Sequence, residues 1–360
     1  MNEKIHVKGL NGIRAIAAIG VVLSHTGVAD FGLKYTLPAG FARFAVTIFF
    51  ALSGFLITLL LFTERKKTGV DIRKFYIRRI LRIWPLYFAY LIAALITIHF
   101  FYPGQLPGAL PYYLFFAANI PTLLGTHLPF LSHYWTLGVE EQFYLFWPWI
   151  IKRSGKVLRA LVIFTLGFIF LKLCVLYYFN HPGNNQPLYI NGILRFECMS
   201  LGGIAALLCI RGHGLFLKVI TNRITELFCW LGLLAMMANK FLVPETISLD
   251  LAALIAIGLI VNLGYNTKPL VSLENQFFDF LGRLSYGIYI IHPLVIFYFA
   301  LLLNHFSVNS TVKIFLAYGG TIFFTIAIAW ISYTFFEKKF LRMKSRFSTV
   351  ENTDSIILIR

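Results

Sequence analysis

The first apolar segment of the chain carries two residues whose types and spacing suit proton transfer and anion binding. It reads LNGIRAIAAIGVVLSHTG and places Arg14 and His25 eleven residues apart. In an α-helix this spacing puts both side chains on one stripe, about 16 Å apart along the axis. Histidine is the side chain best suited to proton transfer near neutral pH. His25 is therefore a candidate base, and a buried histidine bonded to a backbone carbonyl is the structural alternative.

A second segment, HYWTLGVEEQFYLFWPWI, contains two consecutive carboxylates among large apolar residues. Glu140 and Tyr144 lie on one face of a helix at i and i+4, and Glu141 follows Glu140 directly. An ionised side chain at the centre of a membrane-spanning helix costs about 2.5–3.5 kcal/mol on insertion scales, so it usually lines an interior or a site. A structural ion pair of a glutamate with Arg14 or Arg195 is the alternative interpretation.

Two later segments add polar residues to the candidate site. GRLSYGIYIIHPLVIF places Ser285, Tyr289 and His292 on one helical stripe, and LRFECMSLGG places Arg195 and Glu197 beside small residues that permit close packing. Histidines near predicted outer ends and loops are expected to be solvated rather than catalytic. These histidines are His99, His127, His133, His181 and His305.

Three arginines cluster in the segment KFYIRRILRIWPLY. Arg78 and Arg82 are four residues apart, and Arg79 lies beside them. Such a cluster is typical of a cytoplasmic helix end near anionic lipid. It is also suited to a phosphorylated ligand, because guanidinium groups match phosphate oxygens. The residues alone leave both interpretations open.

The composition requires a membrane environment for these segments. Hydrophobic residues make up 58% of the 360 residues and charged residues 13%, against about 45–50% and 25% in soluble domains. Soluble, disordered, collagen-like and disulfide-rich classes are thereby excluded. The four cysteines form no CxxC pattern, so we expect neither a metal site nor a disulfide framework.

The apolar segments predict an all-α fold, a polytopic transmembrane helix bundle of about ten spans with an interior polar seam. In FFALSGFLIT, Ser53-Gly54 indicates close helix packing, and a nucleophilic role for Ser53 is only weakly supported. The region 103–133 contains the apolar stretch PYYLFFAAN, which is too short to span and lies between Pro-rich turns. This pattern predicts a short re-entrant or interfacial helix. The predicted spans are 10–29, 41–62, 83–102, 134–151, 160–179, 190–210, 224–243, 247–264, 280–303 and 311–336.

The basic residues predict the orientation of the bundle. With ten spans and both termini in the cytoplasm, all but six of the 32 Lys and Arg residues lie at inner ends and loops, as the positive-inside rule requires. The net charge of +17 then reflects topology, and no nucleic-acid partner is expected. We divide the chain into a transmembrane domain, 1–345, and a cytoplasmic tail, 346–360. The six remaining residues are Lys34, Arg43, Lys172, Arg195, Lys240 and Lys313.

Taken together, these segments resemble the bacterial acyltransferase family 3, the integral membrane acyltransferases of the O-antigen and exopolysaccharide type. The resemblance covers residues 10 to about 342, and six pieces in one order make it specific. It implies a multi-pass protein of the bacterial inner membrane, in the short form of the family without a following SGNH-type hydrolase domain. The matching pieces are LNGIRAIAAIGVVLSH, FFALSGFLIT, RRILRIWPLY, WTLGVEEQFYLFWP, RLSYGIYIIHP and FEKKFLR.

The resemblance implies transfer of an acyl group, usually acetyl, from acyl-CoA to a hydroxyl of a sugar or glycolipid acceptor. It implies that His25 is catalytic and that Arg78, Arg79 and Arg82 bind CoA. By general principle, His25 is then a base or a transient acyl carrier, Glu140 orients its imidazole, and Arg14 stabilises an oxyanion. The residues expected to contact substrate are Glu141, Tyr144, Ser285, His292 and Arg195.

Two alternatives from other classes remain. A secondary transporter of a small polar solute would also have ten spans and a polar seam, often with broken helices in paired positions. A structural or lipid-scaffolding membrane protein would have no need of His25. Binding of acyl-CoA distinguishes an acyltransferase from both, and the acceptor and the acyl length stay open.

Overall fold

The computed structural model describes residues 4–5, 7–26, 31, 41–104, 108–179, 195–241, 243, 245–347 and 351–352 of the chain. Nearly all of this part is α-helical, as the sequence predicts. Two short strands of two residues each are β1 (Lys4–Ile5) and β2 (Glu351–Asn352). A π-helical turn, Tyr333–Glu337, connects the last two helices. The helices are α1 (Leu10–His25), α2 (Phe41–Lys67), α3 (Ile72–Phe101), α4 (Leu110–Leu114), α5 (Asn119–Leu123), α6 (Tyr134–Arg153), α7 (Val157–Phe179), α8 (Phe196–Ile210), α9 (Gly214–Ile220), α10 (Arg223–Met237), α11 (Glu245–Tyr265), α12 (Gln276–Asn304), α13 (Ser310–Ser332) and α14 (Lys338–Ser345).

Each of the ten predicted spans contains a helix that covers most of its described residues, so the polytopic helical bundle is confirmed. In the described part, six helices are long and apolar enough to cross a membrane. A seventh span results if α8 and α9, which meet at 115°, form one broken span. Helix α1 has only 16 residues and α10 only 15, while α6 carries two glutamates. The count of ten spans therefore stays a prediction.

The region 103–133 contains two short helices, α4 and α5, where the sequence predicts one. The Tyr113 side chain anchors this region, because its hydroxyl accepts a hydrogen bond from Leu128 N at 3.0 Å. The backbone carbonyl of Tyr113 accepts a hydrogen bond from the Tyr87 hydroxyl at 2.6 Å. Tyr113 is fully buried, so these contacts fix the region against α3.

Close helix packing at Ser53-Gly54 is confirmed. A Cβ atom on Gly54 would overlap the backbone of Met199 in α8, and one on Gly202 would overlap the Ala51 carbonyl in α2. The two helices approach backbone to backbone, as small residues allow in membrane bundles. This contact fixes α2, which carries Ser53, within the core.

Helix α1 packs against both α2 and α12. A Cβ on Gly282 of α12 would overlap the backbone of Asn11, so the N-terminal parts of α1 and α12 are in close contact. The parallel pairing of β1 with β2 brings the two ends of the described chain together. This pairing supports the prediction that both termini lie on one side of the membrane.

Candidate active site

A cavity of about 110 Å³ lies among α1, α2, α3, α6 and α12. We call it the arginine cavity, because three arginine side chains form part of its wall. It corresponds to the interior polar seam that the sequence predicts. Its polar lining residues are Arg14, Ser53, Arg79, Arg82, Thr136, Glu140, Tyr144, Ser285, Tyr286 and Tyr289.

Glu140 accepts hydrogen bonds from two hydroxyl groups in the arginine cavity. The Ser53 hydroxyl donates to Oε1 at 2.8 Å, and the Tyr144 hydroxyl donates to Oε2 at 3.3 Å. Adjacent turns of α6 supply Glu140 and Tyr144, as the i, i+4 spacing predicts. The expectation that Glu140 orients His25 is wrong, because the hydrogen-bonding partner of His25 is another histidine.

Arg14 lies on the wall of the arginine cavity and is almost completely buried. Its Nη1 donates to Asn11 Oδ1 at 3.3 Å, and Asn11 Nδ2 donates to Asp279 Oδ1 at 3.0 Å. Asp279 belongs to the first turn of α12. The side chain is therefore oriented by a network between α1 and α12.

The three clustered arginines do not share one environment. Arg78 donates to Glu64 Oε2 at 3.0 Å and to Glu64 Oε1 at 3.4 Å, and it also donates to the Phe347 carbonyl at 2.9 Å. Both members of this ion pair are buried. These contacts place Arg78 outside the arginine cavity, because its guanidinium joins α2, α3 and Phe347, which follows α14.

Arg79 and Arg82 instead line the arginine cavity. The Arg79 guanidinium lies over the rings of Phe75 and Tyr144, with centroids at 5.8 and 5.7 Å. Arg79 Nε is buried and has no hydrogen-bond partner within the described part of the chain. These two arginines are the members of the cluster that can receive an anionic ligand.

Glu141 points away from Glu140, as adjacent helical residues do. Trp84 Nε1 donates to Glu141 Oε2 at 3.3 Å. Glu141 Oε1 is buried without a hydrogen-bond partner among the described residues. Glu141 is not a lining residue of the arginine cavity, whereas Tyr144 and Ser285 are.

His25 forms a hydrogen-bonded pair with His292, which we call the histidine pair. His25 Nδ1 and His292 Nε2 are 2.9 Å apart, and the two rings are nearly coplanar and meet edge to edge, with centroids 5.1 Å apart. His292 is completely buried, whereas His25 is exposed. His292 Nδ1 lies 2.8 Å from the Tyr289 carbonyl. The stripe of α12 thus brings His292 to the end of α1, where it meets the candidate base.

His133 is a third histidine at this place, and sequence reasoning missed it. It is buried, its Nε2 lies 3.2 Å from the Ile290 carbonyl, and its ring centroid is 5.3 Å from that of His292. The expectation that His133 is solvated is wrong, because the turn before α6 folds onto α12. The sequence feature that could have indicated the burial of His133 is its position between Ser132 and the aromatic residues Tyr134 and Trp135. His99, His127 and His305 are exposed as expected, and His181 lies outside the described residues.

One aromatic layer separates the histidine pair from the arginine cavity. Tyr289 lines the cavity, and its ring centroid is 6.0 Å from that of His292. The Tyr289 hydroxyl lies 2.8 Å from Thr136 Oγ1 and donates to the His133 carbonyl at 3.1 Å. Phe49 packs against the same ring at 5.9 Å. Tyr289 and Phe49 therefore lie between the two places.

Arg195 lies behind the cavity wall rather than on it. Its Nη2 donates to Thr47 Oγ1, and its guanidinium lies over the Phe50 ring at 5.5 Å from the centroid. Phe50 is the residue that lines the cavity. Phe50 therefore separates Arg195 from the cavity, and the structure does not bring this arginine to the cavity surface.

A second buried polar group lies among α7, α8 and α11. Lys172 Nζ is 3.0 Å from Glu197 Oε1 and 3.1 Å from Asp250 Oδ2. Glu197, Cys198 and Asp250 bring their ligand atoms within 4.8 Å of one another, but the Lys172 ammonium lies between the two carboxylates. This arrangement is a structural ion-pair network and does not fit a resident metal ion.

Comparison with known proteins identifies the family of the chain. Residues 7–334 match the family model of the acyltransferase domain. The O-acetyltransferase OatA of Staphylococcus aureus strains NCTC 8325 and COL is 26% identical over 363 residues, which cover 92% of this chain and 57% of the relative. A further protein, provisionally named an O-acetyltransferase, from strain MSSA476 is 26% identical over 93% of this chain and 57% of its own length. The chain thus spans little more than half the length of these relatives. No solved structure matches it significantly.

Proposed function

The chain belongs to the acyltransferase domain family, and from that premise we propose that it is an integral membrane O-acetyltransferase. The donor is acetyl-CoA, and the acceptor is a hydroxyl group of a cell-envelope sugar or glycolipid. The names of the relatives support acetyl as the transferred group. The observation that carries the proposal is the arrangement of an arginine-lined cavity one aromatic layer from a hydrogen-bonded histidine pair.

Arg79 and Arg82 are suited to the phosphates of CoA. CoA carries several negative charges that cannot cross a membrane interior, and guanidinium groups bind phosphate oxygens with charge-assisted hydrogen bonds. Both side chains come from α3 and face the same cavity. The thin, neutral pantetheine arm would then extend along α1, past Arg14, toward the histidine pair.

The chemistry requires a base for the acceptor hydroxyl. In the proposed step, His25 removes the proton of the hydroxyl as its oxygen attacks the thioester carbonyl. The new C–O bond forms, the C–S bond breaks, and the CoA sulfur takes the proton back from His25. A route through a transient acetyl group on His25 uses the same atoms in two steps. The rate contribution expected of general-base catalysis is about 10²–10⁴-fold.

Glu140 is suited to a role at the donor rather than at the base. Its two hydroxyl partners, Ser53 and Tyr144, place the carboxylate beside Arg79 and Arg82 on the cavity wall. There it positions the arginines and limits the net positive charge of the cavity. Tyr289 and Ser285, on the α12 side of the same cavity, are suited to the pantetheine amides.

The proposed location is the bacterial inner membrane, with both termini in the cytoplasm. The distribution of basic residues supports it, since residues 63–82, which form the end of α2 and the start of α3, are strongly basic. A membrane-impermeant thiol reagent added to whole cells should label a cysteine introduced at Thr126 and miss one at Lys66, both of which are exposed. All four native cysteines would first be replaced. The opposite labelling pattern would reverse the orientation.

The function is tested by mass spectrometry of envelope glycans and glycolipids from a deletion strain. We expect one class of glycan to lose an acetyl group and to regain it on complementation with the wild-type gene. Purified protein in nanodiscs should bind acetyl-CoA in parallel. A polytopic transporter would bind its solute without CoA, so an unchanged acetylation profile together with absent acetyl-CoA binding would favour that alternative. The described residues contain one broken helix pair, α8 with α9, whereas transporters often carry such breaks in two corresponding positions.

A further inference from the structure

The histidine pair has a defined direction of hydrogen bonding. His292 Nδ1 faces the Tyr289 backbone carbonyl at 2.8 Å. A carbonyl oxygen only accepts hydrogen bonds, so Nδ1 of His292 must carry a proton and donate it. A completely buried imidazole is neutral, because burying an unpaired charge is costly. The other nitrogen of His292, Nε2, therefore has no proton and acts as an acceptor.

This direction fixes the proton on the neighbouring ring. His292 Nε2 lies 2.9 Å from His25 Nδ1. Since His292 Nε2 is an acceptor, His25 Nδ1 must be the donor in this hydrogen bond. A neutral His25 then carries its single proton on Nδ1, which leaves the lone pair on Nε2. His25 is the exposed member of the pair, so this lone pair belongs to the ring that an acceptor can reach.

We propose that His292 is a positioning residue that holds His25 in the Nδ1–H tautomer, with Nε2 as the atom that removes the acceptor proton. His292 occupies the place that a carboxylate has in a serine-protease triad. Because the Tyr289 carbonyl determines which nitrogen of His292 is protonated, His292 in turn determines which nitrogen of His25 is protonated. The proposal rests on the proposed acetyl transfer and adds the residue that prepares the base for it.

Two further observations support a positioning role. The rings of His25 and His292 are nearly coplanar, with an interplanar angle of 6°, so the Nδ1–H of His25 lies in the ring plane and points at the lone pair of His292 Nε2, as a well-formed hydrogen bond requires. His292 is itself held in place from a second side, because the His133 ring packs edge-on at 5.3 Å and His133 Nε2 is bonded to the Ile290 carbonyl.

The proposal predicts opposite behaviour of two similar amide variants. In His292→Gln the amide oxygen can take the place of Nε2 and accept from His25 Nδ1. In His292→Asn the NH₂ group of the shorter amide can donate to the Tyr289 carbonyl, but the amide oxygen is too far from His25 Nδ1 to accept from it. We expect His292→Gln to keep acetyl transfer within a few-fold of wild type, and His292→Asn to lose roughly 10–100-fold in kcat, as when a partner that orients a ligand histidine is removed. The affinity for acetyl-CoA should be unchanged in both.

A matched control is available on the same helix. His305 caps the end of α12 and is exposed, so His305→Asn should leave the rate unchanged. If the Gln and Asn variants of His292 lose activity equally, His292 has only a structural role and the proposal is overturned. Equal retention of activity would overturn it as well.

A spectroscopic readout tests the tautomer without relying on activity. Nitrogen NMR of histidine-labelled protein in nanodiscs distinguishes protonated from unprotonated ring nitrogens. The His25 signals should show Nδ1–H in wild type and in His292→Gln, and a shift of the proton toward Nε2 in His292→Asn. An Nε2–H tautomer of His25 in wild type would overturn the proposal even if acetyl transfer occurs. Conversely, the Nδ1–H tautomer without any acetyl transfer would refute the proposed function and leave the positioning role intact.

Discussion

The arginine cavity and the histidine pair lie one aromatic layer apart, yet their polar atoms are held in opposite ways. The cavity contains charged side chains from α1, α3 and α6, with Glu140 held by two hydroxyl groups. The histidine pair consists of neutral rings held by each other and by a backbone carbonyl. Charged groups suit recognition of a polyanionic donor, and neutral imidazoles suit proton transfer. The difference indicates that donor binding and proton transfer are divided between two places.

The same contrast exists within the arginine cluster. Arg78 is neutralised by Glu64 in a buried ion pair, whereas Arg79 and Arg82 face the cavity. Removing one member of a buried pair leaves the other charge without compensation. Sequence neighbours of one residue type can therefore serve folding and ligand binding separately.

The largest expected effect is at the histidine pair. His25→Ala should reduce acetyl transfer by about 10²–10⁴-fold, because general-base catalysis is lost. Acetyl-CoA binding should stay close to wild type, since no arginine is changed. The check is acetyl transfer from acetyl-CoA by purified protein in nanodiscs, with His305→Ala as the control. Transfer within a few-fold of wild type would remove His25 from the chemistry.

The second largest expected effect is a loss of acetyl-CoA affinity that distinguishes Arg82 from Arg78. Arg82→Gln should weaken acetyl-CoA binding by roughly 10–100-fold, because a charged hydrogen bond contributes about 1.5–3 kcal/mol, and the remaining binding should depend less on salt. Equilibrium binding of acetyl-CoA and dephospho-CoA measures this change and shows which phosphate is involved.

Arg78→Gln is the matched control for Arg82→Gln. It breaks the buried pair with Glu64, so it should lower the free energy of unfolding by about 3–5 kcal/mol. In the fraction that folds, acetyl-CoA affinity should stay near the wild-type value. The division of roles would be contradicted if Arg78→Gln weakened binding and Arg82→Gln did not.

The smallest expected effect lies at the start of α3, the helix that carries these arginines. Asp71 Oδ1 accepts a hydrogen bond from Lys74 N at 3.0 Å, and this backbone contact lowers the pKa of the Asp71 carboxyl below its usual range. Because the folded pKa is the lower one, this stabilisation is present above the unfolded pKa and is lost as the pH falls through the folded pKa. Asp71→Ala should cost about 0.5–2 kcal/mol at neutral pH.

Thermal unfolding in detergent at neutral pH and at strongly acidic pH checks this prediction. The difference between Asp71→Ala and wild type should shrink at the acidic pH, where the wild-type carboxylate is also protonated. Asp71→Asn is the control, because asparagine caps helices about as well as aspartate. A pH-independent difference would show that the charge of Asp71 has no part in the cap.

Much of the fold follows from the sequence, because the length of an apolar segment indicates a helix and small residues within it indicate close packing. Each of the ten segments contains a helix over most of its described residues, and Ser53-Gly54 marks a close contact between helices. Stripe arguments also placed Tyr144 beside Glu140 and brought Ser285 and Tyr289 to one cavity.

The partners across helices could not be predicted in this way. Helical spacing relates residues on one helix only, so it could not show that Glu64 neutralises Arg78 or that His292 meets His25. His133 was misjudged for the same reason, since its burial depends on how the turn before α6 packs on α12. Arg195 is a residue whose type suggests a ligand, but whose position behind Phe50 gives it a structural role.

The division between donor binding and proton transfer is tested most directly by one crossed measurement. Wild type, His25→Ala and Arg82→Gln are placed in the same nanodisc preparation with the envelope glycolipid fraction as acceptor. Acetyl-CoA affinity and the rate of acetyl transfer at saturating acetyl-CoA are measured for each. We expect His25→Ala to keep affinity and lose transfer, and Arg82→Gln to lose affinity and recover transfer when acetyl-CoA saturates. Loss of affinity and of saturated rate together in both variants would contradict the account and indicate a single undivided site.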